Sequence, residues 1–257
     1  MEKRAASLAV LASLAILVII SYVYVPSCPI AFAPLEPPSR SHPLGTDPVG
    51  RDALCEVLAG IRASVEAAFA ALAASLAVLS ASLLAGVSAR AGRLVDSVAA
   101  LVAGLPRMSL LMMLALVTRL SPIGIGLLIG SLASLQGARA AATRARQVAR
   151  SLYVEAARAI GAPWYRIVAR HIAPNTWGSI ASYASIASSA AVYAEAGLSM
   201  LGLGSPATPS LGKVAGLVML TPGAVLTEAG LAQLVASLAL VAAIAMLMYL
   251  AVRLIGS

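Results

Sequence analysis

Side chains able to do chemistry are sparse in this sequence. Ten acidic residues, two histidines and two cysteines stand in ones and twos between long uncharged stretches. Those stretches contain no paired aspartates, no His-Glu-x-x-His and no serine with a histidine partner; His42 falls between them and His171 at the very start of one. A membrane-embedded enzyme therefore lacks its constellation. Cys28 and Cys55 have neither metal-ligand spacing nor a histidine close by. Either a disulfide on an oxidising side or two small buried thiols would fit them. The sequence holds no Gly-x-x-x-x-Gly-Lys-Ser/Thr phosphate loop. Its nearest approach, Gly212-Lys213-Val214, has neither the spacing nor the hydroxyl, so any nucleotide must bind another chain and no cofactor is expected here.

Three groups of residues remain as candidates. The first is the run Ser151-Leu152-Tyr153-Val154-Glu155-Ala156-Ala157-Arg158-Ala159-Ile160-Gly161. It predicts a short helix capped by Ser151 and closed by Gly161. Ala156, Ala157 and Ala159 leave its backbone near its surface, with Glu155 and Arg158 free for polar contacts at a groove's rim. The same pattern suits an amphipathic helix lying on anionic headgroups. Pro163 opens a second helix over 164–172, which Pro174 is expected to end. The second candidate is Arg107, beside Pro106 and in the middle of an apolar run. It would either line a path and meet a carboxylate of passing cargo, or pair with Glu195 or a backbone carbonyl at a helix break. The third is Ser182, Ser185 and Ser189, continued by Tyr193, which recur at helical spacing. They would line a pathway or permit close helix packing, as would Ala71, Ser75 and Ser82. Glu195 suits either an outer gate or an ordinary interfacial position.

The elements that must hold these residues follow from composition. With 60% hydrophobic and 11% charged residues, the chain has more apolar surface than a soluble core can hide. A net charge of +8 with only 4% aromatics does not suit a nucleic-acid surface. Crossing a hydrocarbon core of about 30 Å takes about 20 apolar residues. Runs of that size free or nearly free of charge lie at 5–25, 67–89, 94–118 (interrupted by Pro106 and Arg107), 120–138, 171–194 and 229–252. The expected fold is thus an all-α integral membrane protein of about six transmembrane helices. The first run is too long for a secretory signal and is read as an uncleaved helix. Residues 197–227 are apolar but carry so many glycines and prolines that a loop or re-entrant piece is expected.

Basic residues orient the spans. An inside amino terminus places twelve of the eighteen on the cytoplasmic side, from Lys3 and Arg4 to Arg253, and five outside, with Arg107 in the membrane. Both termini are then cytoplasmic, and the long basic segment 139–174 is a cytoplasmic loop between the fourth and fifth helices. A secondary carrier is disfavoured, because the spans hold almost no carboxylates and no internal repeat is visible.

Glu155-Ala156-Ala157, then Gly161, then His171-Ile172-Ala173-Pro174 resembles the EAA loop of ABC importer permeases, with Ala173 where that pattern usually has leucine. His42-Pro43-Leu44-Gly45-Thr46-Asp47 followed by Gly50-Arg51-Asp52 resembles the segment before the second helix in C-type subunits of the dipeptide and oligopeptide permeases. Glu195-Ala196-Gly197-Leu198-Ser199-Met200-Leu201-Gly202-Leu203-Gly204 with Pro209-Ser210-Leu211-Gly212 resembles the same subunits' signature. Met200 and Leu211 replace the commoner phenylalanine and tryptophan. The resemblance implies a plasma-membrane permease subunit, not itself an enzyme, with an N-terminal helix and outer loop in 1–66 and a permease core in 67–257. It implies half of a path for peptides or similar small solutes. It also implies a B-type permease partner, two cytoplasmic ATPase subunits docked on the coupling loop around Glu155, Ala156, Ala157, Arg158, Gly161 and Pro174, and an extracytoplasmic substrate-binding protein.

Overall fold

A computed structural model describes residues 2–23, 28–118, 120–206 and 208–255. Among the described residues ten α-helices carry the architecture: α1 Glu2–Val23, α2 Ala53–Gly86, α3 Ala89–Ala103, α4 Arg107–Thr118, α5 Pro122–Ala149, α6 Leu152–Ala159, α7 Trp164–Ile167, α8 Ala173–Met200, α9 Leu211–Leu220 and α10 Glu228–Ile255. Among the described residues, β pairing is confined to one isolated bridge between Thr46 and Asp52. Among the described residues, three helices are long and apolar enough to cross a membrane, Ala53–Gly86, Pro122–Ala149 and Glu228–Leu254, and a fourth span arises if α3 and α4 form one.

Helix ends differ from the charge-free runs wherever the chain satisfies its own charges. α2 starts at Ala53 instead of 67, because Arg51 meets both Asp47 and Glu56 and Arg62 meets Glu66. Asp52 caps it, accepting from the Leu54 and Cys55 amides at 2.8 and 3.2 Å. The expected third span is broken: α3 and α4 are turned by 80° at the break that contains Pro106. α5 is capped by Ser121, whose Oγ accepts from the Gly124 amide, and runs to Ala149. The start of the supposed loop 139–174 is therefore helix. Ala138, Ala141, Ala142, Ala145 and Ala149 give it a buried face of strong helix formers.

Pro174 ends nothing. It sits in the first turn of α8, directly after a π-turn, Val168–Ile172, that joins α7 to α8 without a break. Proline lacks an N–H and crowds the carbonyl four residues back, and the wider turn before it accommodates both.

α2, α5 and α8 form the centre. Gly126 and Gly130 let α5 lie on the α2 backbone, since a Cβ at either would collide with the Ala67 or Ala71 carbonyl. Of the small residues on α2, Ala71, Ser75 and Ser82 are all buried. The glycine-rich stretch 197–227 contains α9, ten residues or about 15 Å, which is too short to cross. It is packed onto α8, α10 and α2.

The bundle has two distinct ends. One gathers the start of α2, the end of α8, α9 and the loop 28–52. That loop is tied down by a Cys28–Cys55 disulfide with a Cα–Cα distance of 5.8 Å. Of the two states open to these cysteines, the chain adopts the bridge. The other end gathers the ends of α2 and α5 with α6, α7 and the start of α8, and it carries most of the arginines.

Candidate functional site

At the arginine end, α6 and α7 form a small helical hairpin on the outside of the bundle. Ser151 takes the extended cap conformation, φ −76° and ψ 149°, but its Oγ donates to the Val148 carbonyl at 2.6 Å. The Glu155 amide reaches the Ser151 carbonyl at 3.0 Å to start the helix. Gly161 has φ +79°, the left-handed closing position for which a residue without Cβ is suited.

Val154 is the one buried residue of α6, packed with Leu79, Leu83, Val148, Ile167 and Ile172. Every other α6 side chain points outward or lies half out. Glu155, Ala156 and Arg158 are exposed and Ala157 is half-buried. Leu152 and Ile160 are 84% and 85% exposed, and Tyr153, Trp164 and Tyr165 join them. Such a cluster of open apolar groups, rimmed by Glu155 and Arg158, is the composition of a docking surface. The Arg158 guanidinium lies 5.9 Å from the Trp164 ring centroid, so the rim is partly ordered already. Pro174 is exposed in the first turn of α8.

At the disulfide end the polar groups turn inward. Glu195, on α8, is 0% exposed. Its carboxylate accepts from Ser64 on α2 at 3.2 Å, Ser199 on α8 at 2.8 Å and Ser210 at 2.7 Å. Ser210 also caps α9 through the Gly212 amide at 3.1 Å. Three hydroxyls from three elements meet one buried carboxylate. Gly212 and Gly216 press α9 against the α8 carbonyls of Ala196 and Met200, where a Cβ would not fit. Gln233 of α10 donates to the Thr46 carbonyl at 2.8 Å and pins the stapled loop to the bundle.

Between that loop, α2 and α9 opens a cavity of about 590 Å³, lined among others by Asp47, Arg51, Glu56, Met200, Lys213 and Leu217. Arg51 bridges Asp47 and Glu56 at 2.8 and 2.9 Å. The Lys213 ammonium donates to the carbonyls of Ser205, Pro206 and Thr208, closing the turn that leads into α9.

The pathway candidates on α8 divide. Ser182 and Tyr193 are exposed and Ser189 is half-buried, and they share an open face with exposed Ile186. Ser185 is fully buried. The hydroxyls of Ser182, Ser185 and Ser189 all donate to backbone carbonyls one turn back. Arg107 opens α4, and its side chain lies outside the described residues. Sequence reasoning did not join Glu195 to Ser64, Ser199 and Ser210. The four-residue step from Glu195 to Ser199 was the available signal.

A family model described as "Binding-protein-dependent transport system inner membrane component" matches residues 67–256. The dipeptide transport system permease protein DppC of Bacillus subtilis (strain 168) is 32% identical over 176 residues, covering 65% of this chain and 53% of that protein. The oligopeptide transport system permease protein OppC of the same organism is 32% identical over 178 residues, 67% of this chain and 57% of the relative. The probable D,D-dipeptide transport system permease protein DdpC of Escherichia coli (strain K12) is 31% identical over 175 residues, 67% and 59%. The chain thus spans little more than half the length of the curated relatives it matches.

Proposed function

We infer from one premise, that the chain belongs to the family of binding-protein-dependent transport system inner membrane components, that it is the permease subunit of an ATP-driven importer of peptides or similar small solutes. The observation that carries the mechanism is the α6–α7 hairpin, whose apolar and charged side chains stand exposed while the helix continues through a π-turn into α8. In this reading Glu155, Ala156, Ala157, Arg158 and Gly161 dock in a groove of a cytoplasmic ATPase subunit. Two such subunits bind the ATP, in keeping with a sequence that lacks a phosphate loop.

The permease core, 67–257, forms half of the translocation path, and a B-type permease subunit forms the other half. The open face of Ser182, Ser189 and Tyr193, with Arg107, is read as bordering that path. Six spans result when α1 and α8 are added to the helices that pass on length and hydropathy and α3 with α4 counts as one. The arginine excess then places the α6 end and both termini in the cytoplasm of a plasma-membrane protein, and the disulfide suits the opposite, oxidising side. There an extracytoplasmic binding protein delivers cargo to the mouth beside α9. When the ATPases close on ATP, the hairpin moves with them and tilts α5 and α8 as rigid bodies, exchanging access between the two sides.

Affinity isolation of the tagged chain in mild detergent, with mass identification of its companions, tests this. Two ATPase polypeptides and a second permease are expected. They should be lost on Gly161→Trp, which cannot hold the positive φ without strain, and on Glu155→Arg. Recovery of this chain alone under every nucleotide condition would overturn the reading.

A further inference from the structure

The arginine end holds a second constellation that the coupling hairpin does not use, in the crevice between α3 and α5. Arg139, Thr143, Arg146 and Arg150 follow one another at steps of four, three and four, which stacks them on one face of α5. That face looks onto α3. Arg146 Nη2 lies 3.4 Å from one Asp96 oxygen and donates to Thr143 Oγ1 at 2.9 Å, while Arg139 Nε stands 3.9 Å from the other Asp96 oxygen. A Cβ on Gly92 would strike the Arg146 guanidinium, so that side chain lies flat on the α3 backbone. Arg90 and Arg93 are exposed at the start of α3, and Arg150 is exposed at the end of α5.

Charge and depth both point to the occupant. From residue 89 to residue 174 the only acidic residues are Asp96 and Glu155. A single aspartate, in reach of Arg139 and Arg146, therefore stands against the three arginines of the α5 stripe and Arg93, one turn before it on α3. From the capped start of α5, Arg139 lies about 27 Å along the helix axis. With that start at one boundary of a hydrocarbon core about 30 Å thick, Arg139 reaches the other and the later arginines stand among the headgroups. On the opposite side of α3, Leu94, Val98, Leu101 and Leu105 form an exposed apolar stripe at steps of four, three and four. That stripe seats α3 in hydrocarbon up to its first turn and leaves Arg90 and Arg93 above it.

We propose that this crevice binds the headgroup of an anionic phospholipid, with Arg93, Arg146 and Arg150 around the phosphate and Asp96 holding Arg146 in place. Guanidinium groups offer paired donors to phosphate oxygens, and a basic pocket between helices at headgroup depth favours lipid of net negative charge. Arg150 adjoins the cap of α6, while Arg93, Asp96 and Arg146 lie on α3 and α5, and the site requires no other polypeptide.

The test uses the purified full-length chain in detergent, titrated with phosphatidylglycerol or phosphatidylcholine of identical acyl chains. Bound lipid is counted by native mass spectrometry. Phosphatidylglycerol should be held about tenfold more tightly. The pair Arg93→Gln and Arg150→Gln, both exposed and expected to fold, should bring that preference below about threefold while leaving phosphatidylcholine retention unchanged. The pair Arg166→Gln and Arg170→Gln at the same end should keep the preference. Equal retention of the two lipids by the parent chain overturns the proposal, as does equal loss in both double variants, which would mean diffuse surface charge. Inorganic phosphate alone displacing phosphatidylglycerol at millimolar concentration would assign the crevice to a free anion and overturn the lipid assignment. No ATPase is present in any arm, so failure here leaves the transport reading untouched.

Discussion

At the disulfide end a buried carboxylate, an arginine and a glutamine amide group find partners within the chain, although Gln233 Oε1 is buried without one among the described residues; at the arginine end, α6 turns charged and large apolar side chains outward from a single buried anchor. Glu195 has its three serines, Arg51 its two carboxylates and Gln233 the Thr46 carbonyl, beneath a loop that is covalently stapled. The α6 helix, by contrast, has Val154 as its only buried anchor and displays Leu152 and Ile160 almost fully. Burial is what holds a segment against local opening. The first end draws its polar contacts from within the chain, whereas α6 is held to the bundle through a single buried side chain.

That contrast is easiest to break at the staple. The disulfide closes a sequence separation of 27 residues, and Cys28→Ser with Cys55→Ser should lower stability by about 3 kcal/mol. The readout is the unfolding midpoint in detergent, and an unchanged midpoint would mean that the loop is held without the bond. Glu195→Ala should follow at about 2 kcal/mol, because it strips an acceptor from three buried hydroxyls and leaves a void. Glu195→Gln, which can still accept, should recover most of that loss, so equal losses in the two variants would show that the serines do not matter. Smallest in stability is Leu152→Ser with Ile160→Ser, expected within about 0.5 kcal/mol of the parent, yet it should remove the ATPase subunits from the affinity-isolated complex. A large drop in midpoint for that pair would show the hairpin to be packed within its own chain.

Much of the helical plan could be read from apolar runs, because a helix in lipid must be long and uncharged. The hairpin was readable as well: Ser151 and Gly161 mark the bounds of α6, which runs Leu152–Ala159. The rule misplaced helix ends where charges neutralise one another within the chain. Glu56, Arg62 and Glu66 excluded the first turns of α2 from a charge-free run, although each has a partner in reach. Pro174 reads as a stop in the sequence, since nothing in a linear pattern announces a π-turn that widens the backbone just before it. The serine cage of Glu195 draws on α2, α8 and the residue capping α9, and beyond the four-residue step to Ser199 its separations leave no periodic trace.

One unbroken path of helix runs from Trp164 to Met200. The α8 part alone, 28 residues, is a rod of about 42 Å. Its near end is short and seated through Ile167 and Ile172, and its far end grips α9 through Gly212, Gly216 and the Glu195 carboxylate. The geometry is that of a lever arm with its load clamped to the tip. A tilt of about 10° at the π-turn would sweep that tip by about 7 Å, and the wall of the cavity formed by Met200 and Lys213 would travel with it.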